Sequence, residues 1–271
     1  MRTKLHEPRA VSLNQFVDKL QEAGRYTFTR DEAAMACGSS GVALRQAALR
    51  LQKQTRLVMP RRGFFVIVPL EYRSAGAPPP AWYIDALMRF HGRPYYVGLL
   101  SAAALHGAAH QQAQEFQVIT DRALRPAIGG RTHLHFFYKR RQAQTPTIAM
   151  KVETGEMLVS TPEATAFDLV RYPLAAGGLG NIITVLAELA EKMDPQRLVE
   201  AAETEAELAA VQRVGLLLEC GGASDKVERL AEWITNQKPR TILLRPDRDA
   251  ARATKNDRWR LLVNEDLEVD E

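Results

Sequence analysis

The sequence has 271 residues, 46% hydrophobic and 25% charged, with a net charge of +4, a balance that supports a sizeable buried core and suggests two domains. No apolar run approaches the ~18 residues of a membrane span, and the opening MRTKLHEPRAVSLNQFV lacks the apolar stretch and cleavage site of a secretory signal, so the expected location is cytoplasmic, with no membrane partner. Cys37 and Cys220 stand far apart without CxxC spacing, which points away from a disulfide framework or a zinc ribbon.

The charge is unevenly placed. Residues 1–70 carry 12 Lys/Arg against 5 Asp/Glu, whereas residues 156–235 carry 6 against 14. A positive module joined to an acidic region fits a protein that meets a polyanion with one part only, although charge runs are also simply solvated faces.

In chain order, residues 12–23 open with a capping serine and repeat Leu13, Phe16, Val17, Leu20 and Ala23 at helical spacing, stopped by Gly24. After a short β-type stretch at Tyr26–Phe28, Thr29 and Glu32 form a T-x-x-E capping box that opens a second helix, Arg30 to Cys37. Gly38-Ser39-Ser40 makes a tight turn, and a third helix runs from Gly41 to about Gln54. Two short helices around a three-residue turn holding a glycine give the helix-turn-helix pattern.

At 100° per residue, Leu44, Ala47, Ala48 and Leu51 form the packing side of the third helix. Arg45, Gln46, Leu49, Arg50 and Lys53 take the opposite side with Val42, and no acidic residue occurs from Val42 to Leu57. Arginine can fork onto guanine, glutamine onto adenine, and an apolar side chain can meet a thymine methyl, so this side is the expected recognition surface; a solvated helix face is the plainer alternative. Leu57-Val58-Met59, Pro60-Arg61-Arg62-Gly63 and Phe64–Val68 then read as a β-hairpin with a basic tip. Beside a recognition helix such a hairpin is a wing, with Arg61 and Arg62 expected at phosphates or the minor groove. The expected DNA-binding set is Ser39, Ser40, Arg45, Gln46, Leu49, Arg50, Lys53, Arg61 and Arg62.

EYRSAGAPPP, residues 71–80, is a composition break and the expected extended linker between a winged helix-turn-helix at 1–70 and a larger domain at 81–271. In that domain the spacing predicts helices over 80–90 and 95–110, then strands at Phe116–Thr120, His133–Tyr138 and Thr147–Glu153, with Met157–Ser160 continuing the sheet. Thr161-Pro162-Glu163 caps a helix to about Tyr172, and further helices are expected at 181–192, 195–203, 205–219 and 224–236. Arg240–Arg245 and Arg258–Val263 are candidates for strand pairing. The fold class is α+β, a winged helix-turn-helix followed by a small sheet and a helical array.

Chemistry in this region is thinly supported. His106 and His110 lie four apart on the expected helix, but Gly107 stands where a zincin has its general-base Glu. His133 and His135 share a strand face, so a four-histidine site is conceivable, yet packing and surface histidines explain them as well. Gly177 to Asn181 lacks the P-loop form, and Asn181 fits an N-cap. Glu163 and Asp168, five apart, suit capping and salt pairing better than paired-carboxylate catalysis. No enzyme, cofactor or metal is expected.

Taken in order, several short motifs resemble a known family. They are the N-terminal winged helix, Tyr95-Tyr96-Val97-Gly98 leading to Ser101-Ala102-Ala103 and Leu105-His106-Gly107, Phe116-Gln117-Val118, Ser160-Thr161-Pro162-Glu163 with Thr165-Ala166-Phe167-Asp168-Leu169, and Arg258-Trp259-Arg260-Leu261-Leu262. Together the chain resembles the AbiEi-like transcriptional regulators, antitoxins of the bacterial abortive-infection AbiE type. The resemblance implies a first domain that binds inverted repeats in its own promoter and represses the operon. It implies a second domain that neutralises a nucleotidyltransferase-like toxin encoded alongside, by the type IV scheme without a stable complex. Basic surfaces at 122–151 and 238–260 are candidates for that second role. The alternative is a winged-helix regulator whose second domain senses a ligand or dimerises, with no toxin.

Overall fold

The computed structural model of the chain describes residues 11–39, 41–108, 115–205 and 207–267. Its N-terminal part runs α1 (Leu13–Glu22), β1 (Thr27–Thr29), α2 (Arg30–Cys37), α3 (Gly41–Lys53), β2 (Leu57–Arg61) and β3 (Phe64–Ile67). The strands pair antiparallel in the order β1-β3-β2, and the three helices pack on one another beside them. This is a winged helix-turn-helix. Ser12 with Gln15 and Thr29 with Glu32 form reciprocal capping boxes, so α1 and α2 both start where short-range chemistry fixes them. Gly38, in the left-handed conformation, ends α2 and turns the chain toward α3.

Successive side chains of a strand point to opposite faces, and β3 buries both. Phe65 and Ile67 join Leu13, Val17, Phe28, Leu44 and Leu51 in the core under the helices. Phe64 and Val66 join Tyr83, Ile84, Leu87, Val97 and Val118 in a second core. The wing is therefore a wall shared by two cores.

Residues 71–80 differ from the extended linker expected of them. Leu70–Tyr72 and Pro80–Trp82 are 3-10 turns, and Ala77 between them is buried. The Arg131 N–H donates to the Ala75 carbonyl at 3.0 Å. Gly130 permits this approach, because a Cβ there would stand 2.4 Å from the Ala75 oxygen. The prolines stiffen only the exit, and the small residues before them let the backbone press against a neighbouring turn.

The second part continues with α4 (Ile84–His91), β4 (Tyr95–Val97), α5 (Leu99–Leu105), β5 (Glu115–Thr120), β6 (Ala127–Gly129), β7 (Thr132–Tyr138), β8 (Thr147–Val152) and β9 (Gly155–Ser160). These strands form a sheet in the order β6-β7-β5-β4-β9-β8, parallel at β5/β7 and β4/β9 and antiparallel elsewhere. Six strands exceed the small sheet anticipated. β6 was not expected, and Tyr95–Val97, expected to begin a helix, is a central strand with all three residues buried. An aromatic and β-branched run suits a doubly covered strand, and the helix of small residues begins only after Gly98. His110 lies outside the described residues.

One sheet face meets α4 and the wing; the other meets the helical array. That array comprises α6 (Pro162–Arg171), α7 (Gly178–Ala190), α8 (Pro195–Thr204), α9 (Leu208–Cys220) and α10 (Ser224–Asn236). Asn181, expected to cap α7, lies inside it; Gly177 is the cap, and Asn181 Nδ2 donates back to the Ala176 carbonyl at 2.8 Å. Last come β10 (Ile242–Leu243), β11 (Thr254–Asn256) and β12 (Leu261–Val263), with β10 and β12 pairing as anticipated and β11 adding a third strand. The Trp259 ring is fully buried against Gly215 of α9, where a Cβ would come within 2.1 Å of it. Among the described residues no helix is long and apolar enough to cross a membrane.

Candidate nucleic-acid interface

α3 is held from one side. Leu44, Ala48 and Leu51 are buried and Ala47 packs beside them, which fixes the rotation of the helix and turns the other side outward. Arg45, Gln46, Leu49, Arg50 and Lys53 are all exposed there, as is Val42. Among the described residues no carboxylate pairs with Arg45, Arg50 or Lys53. Two other arginines of this part are committed differently: half-buried Arg56 pairs with Asp18 and Asn14, and exposed Arg25 with Glu32. Ser39 is half-buried and its hydroxyl donates to the Cys37 carbonyl at 3.2 Å; Ser40 lies outside the described residues.

The wing stands beside this face. β2 and β3 shift register between Val58 and Arg61, where Pro60 has no N–H to offer the ladder. The Arg30 N–H donates to the Gly63 carbonyl at 2.8 Å, tying the start of α2 to the wing turn. Between α3 and the wing runs an open groove lined by Arg30, Val42, Arg45, Leu49, Met59 and Arg62. Its walls are cationic and its floor partly apolar, the character expected of a surface that meets both phosphates and base edges.

Two of these residues escaped the sequence reading. Arg30 and Met59 enter the groove because α2 and β2 fold against α3. Arg30 has a readable signal, since it follows the Thr29 cap and must project from the start of α2. Met59 has none beyond alternation in the hairpin.

The structure separates the two arginines of the hairpin tip. Arg62 is exposed beside α3, whereas Arg61 turns toward the second part of the chain. Its Nη1 donates to the Pro126 carbonyl at 3.0 Å, and its guanidinium lies 5.8 Å from the centre of the Phe136 ring. Burial, and then nearby Arg125, draw its pKa below the ordinary arginine value.

Among the described residues the histidines of this region form no common site. His106 is buried and its Nε2–H donates to the Ser160 carbonyl at 2.7 Å. His133 and His135 stack on β7 with ring centres 6.4 Å apart, and Glu115 stands 3.6 Å from His135. Among the described residues no group of three His, Cys, Asp or Glu is arranged to hold a metal ion.

Glu163 and Asp168 also part. Glu163 accepts from the Asp194 N–H at 3.0 Å, while Asp168, fully buried, pairs with buried Lys139 at 2.9 Å and accepts from the Tyr96 hydroxyl at 3.2 Å. Lys139 also reaches Glu205 at 2.6 Å, and Glu205 holds Arg171 at 2.8 Å. Burial acts to lower the Lys139 pKa, but Asp168 and Glu205 outweigh it and leave it raised. This is a charge-paired strut between the sheet and the helices. Among the basic residues near the C-terminus, Arg258 pairs with Glu219 and Glu228 of the acidic helices, and Arg245 with Asp247 and Glu265.

Residues 96–220 match the family model of the AbiEi antitoxin C-terminal domain. The crystal structure of the RV2827C protein from Mycobacterium tuberculosis has a similar fold, with a TM-score of 0.66 over 94% of this chain and 92% of that chain at 15% identity. No curated protein sequence matches the chain.

Proposed function

We propose, from the AbiEi antitoxin C-terminal domain that residues 96–220 carry, that this protein is both a DNA-binding autorepressor and the antitoxin of a bacterial toxin–antitoxin system. Residues 1–70 bind double-stranded DNA, inverted repeats in the protein's own promoter. Residues 71–80 join them to the antitoxin domain at 81–271. The partner is a nucleotidyltransferase-like toxin encoded alongside, countered in the cytoplasm without a stable complex or a catalytic step. The toxin half of this reading rests on the family; the alternative of a ligand-sensing or dimerising regulator lacks a comparable match.

The DNA half rests on one observation, the exposed and acid-free side of α3 beside the wing. A rod about 10–12 Å across with such a side fits the major groove. On this reading Arg45 and Gln46 read bases, Arg50, Lys53 and Arg62 meet phosphates, and Ser39, Ser40 and Leu49 complete the DNA-binding set.

Gel shifts with the DNA upstream of the reading frame, at several salt concentrations, test it. Arg45→Ala or Gln46→Ala relaxes sequence preference at a cost of ~1–3 kcal/mol for a lost base contact. Unchanged binding by the Arg45, Gln46, Arg50 and Arg62 alanine variants would refute the assignment.

A further inference from the structure

The cationic side of α3 has an apolar centre. Val42 is 74% exposed and Leu49 41% exposed, two large apolar side chains in water on a helix whose core positions are filled by Leu44, Ala48 and Leu51. Seven residues apart, they project within about 20° of each other, with Arg45 to one side and Gln46 and Arg50 to the other. Met59 of the wing, 39% exposed, continues the strip across the groove. Single exposed apolar residues need no explanation, but an aligned pair at the centre of a face otherwise made of cations and glutamine does.

We infer that Val42 and Leu49 read thymine methyl groups in the major groove, so that the preferred DNA carries thymines at the positions these two side chains meet. The inference rests on the DNA-binding reading above and adds to it which base feature is read. The C5 methyl is the apolar feature of that groove, and an apolar side chain recognises it where a water shell would otherwise be left over both. At 1.5 Å of rise per residue, Val42 and Leu49 are about 10 Å apart along the helix, roughly three base-pair steps of 3.4 Å. Arg50 and Lys53 supply attraction to the phosphates, and the methyls add sequence discrimination to that of Arg45 and Gln46. A C5 methyl also occurs on 5-methylcytosine, so the test separates the two sources.

The upstream duplex is made enzymatically in three forms: with dTTP, with dUTP, and with dTTP plus 5-methyl-dCTP. Uracil pairs as thymine does and lacks only the methyl. Binding by the full chain is expected to weaken about fourfold for each methyl lost, hence about tenfold or more for the uracil duplex. Cytosine methylation is expected to leave affinity for the thymine duplex unchanged. The double variant Val42→Ala, Leu49→Ala, which touches no buried position, is expected to bind thymine and uracil duplexes alike while keeping the salt dependence of the parent. Equal binding of thymine and uracil duplexes by the parent protein overturns the inference and leaves the repressor reading standing. Tight binding only after cytosine methylation overturns it in favour of the other base. Failure to bind any of the three overturns the DNA-binding reading itself, and the inference with it.

Discussion

Arg61 donates to Pro126 and lies over Phe136, while Arg62, one residue on, is exposed beside α3. The two should respond oppositely to substitution. Arg62→Ala is expected to weaken binding to every DNA sequence and to reduce the salt slope by about one. Arg61→Ala is expected to cost about 1–2 kcal/mol of stability, from one charge-assisted hydrogen bond and one ring contact, and to leave the slope almost unchanged. Salt titrations and denaturant unfolding of both variants check the split, and identical behaviour of the pair contradicts it. Lys139 poses a different problem, because it neutralises two buried carboxylates. Lys139→Met is expected to destabilise by about 3–5 kcal/mol through the unpaired charge it leaves. Adding Asp168→Leu should recover part of the loss, since Glu205 keeps Arg171. A double variant no more stable than the single one argues against the strut.

At the scale of elements, α2 is positioned by its first turn. The Thr29 hydroxyl accepts from the Glu32 N–H at 3.2 Å, and Glu32 accepts from the Thr29 N–H at 2.6 Å. Thr29→Ala is expected to cost about 1 kcal/mol. Burial acts to raise the Glu32 pKa, but the bonds from Arg25 and Thr29 outweigh it and leave it lowered. The folded carboxyl thus holds its proton less tightly than the unfolded one. Its contribution is fully present above the unfolded value of 4.5 and is lost as pH falls through the lower folded value. The stability gap between the parent and Glu32→Gln should therefore be present near pH 7 and close on acidification, which denaturation at both ends measures. A gap that widens in acid contradicts this account. Much of this level was legible in advance, because caps, turns and helical periodicity act over a few residues. The elements that depart from their local pattern, β4, β6 and the 71–80 segment, owe their form to what packs against them. Tyr95-Tyr96-Val97 becomes a strand because β5 and β9 flank it and cores close over both faces.

For the whole molecule, the shared wing has a thermodynamic consequence. Phe64 and Val66 are buried against α4 and the sheet, so α3 and the larger part are mechanically joined through β3. Phe64→Ala is expected to cost about 3–5 kcal/mol and to loosen both parts together. Trp233 and Trp259 pack in the helical array while Trp82 lies 5.0 Å from Tyr26 of the N-terminal part, so fluorescence follows the larger part and its seam with the first, and amide exchange follows α1 to α3. The two probes are expected to report coincident unfolding, and a separate early transition of the N-terminal helices would argue for loosely tethered units. A fragment ending at residue 70 exposes Phe64 and Val66, and one beginning at 81 uncovers the face they occupy. Antitoxicity without repression is for that reason better tested in the full chain carrying α3 substitutions than in a truncation.

The sequence by itself determined the winged helix-turn-helix, the outward side of α3 and the α+β class. Each depends on residues close in the chain, where capping, glycine turns and the 3.6-residue period leave few alternatives. Only the tertiary structure decided that Arg61 faces inward, that Arg30 and Met59 line the groove, and that Lys139, Asp168 and Glu205 meet. Those contacts join residues distant in sequence, and their geometry follows from which faces pack together, which no local pattern records.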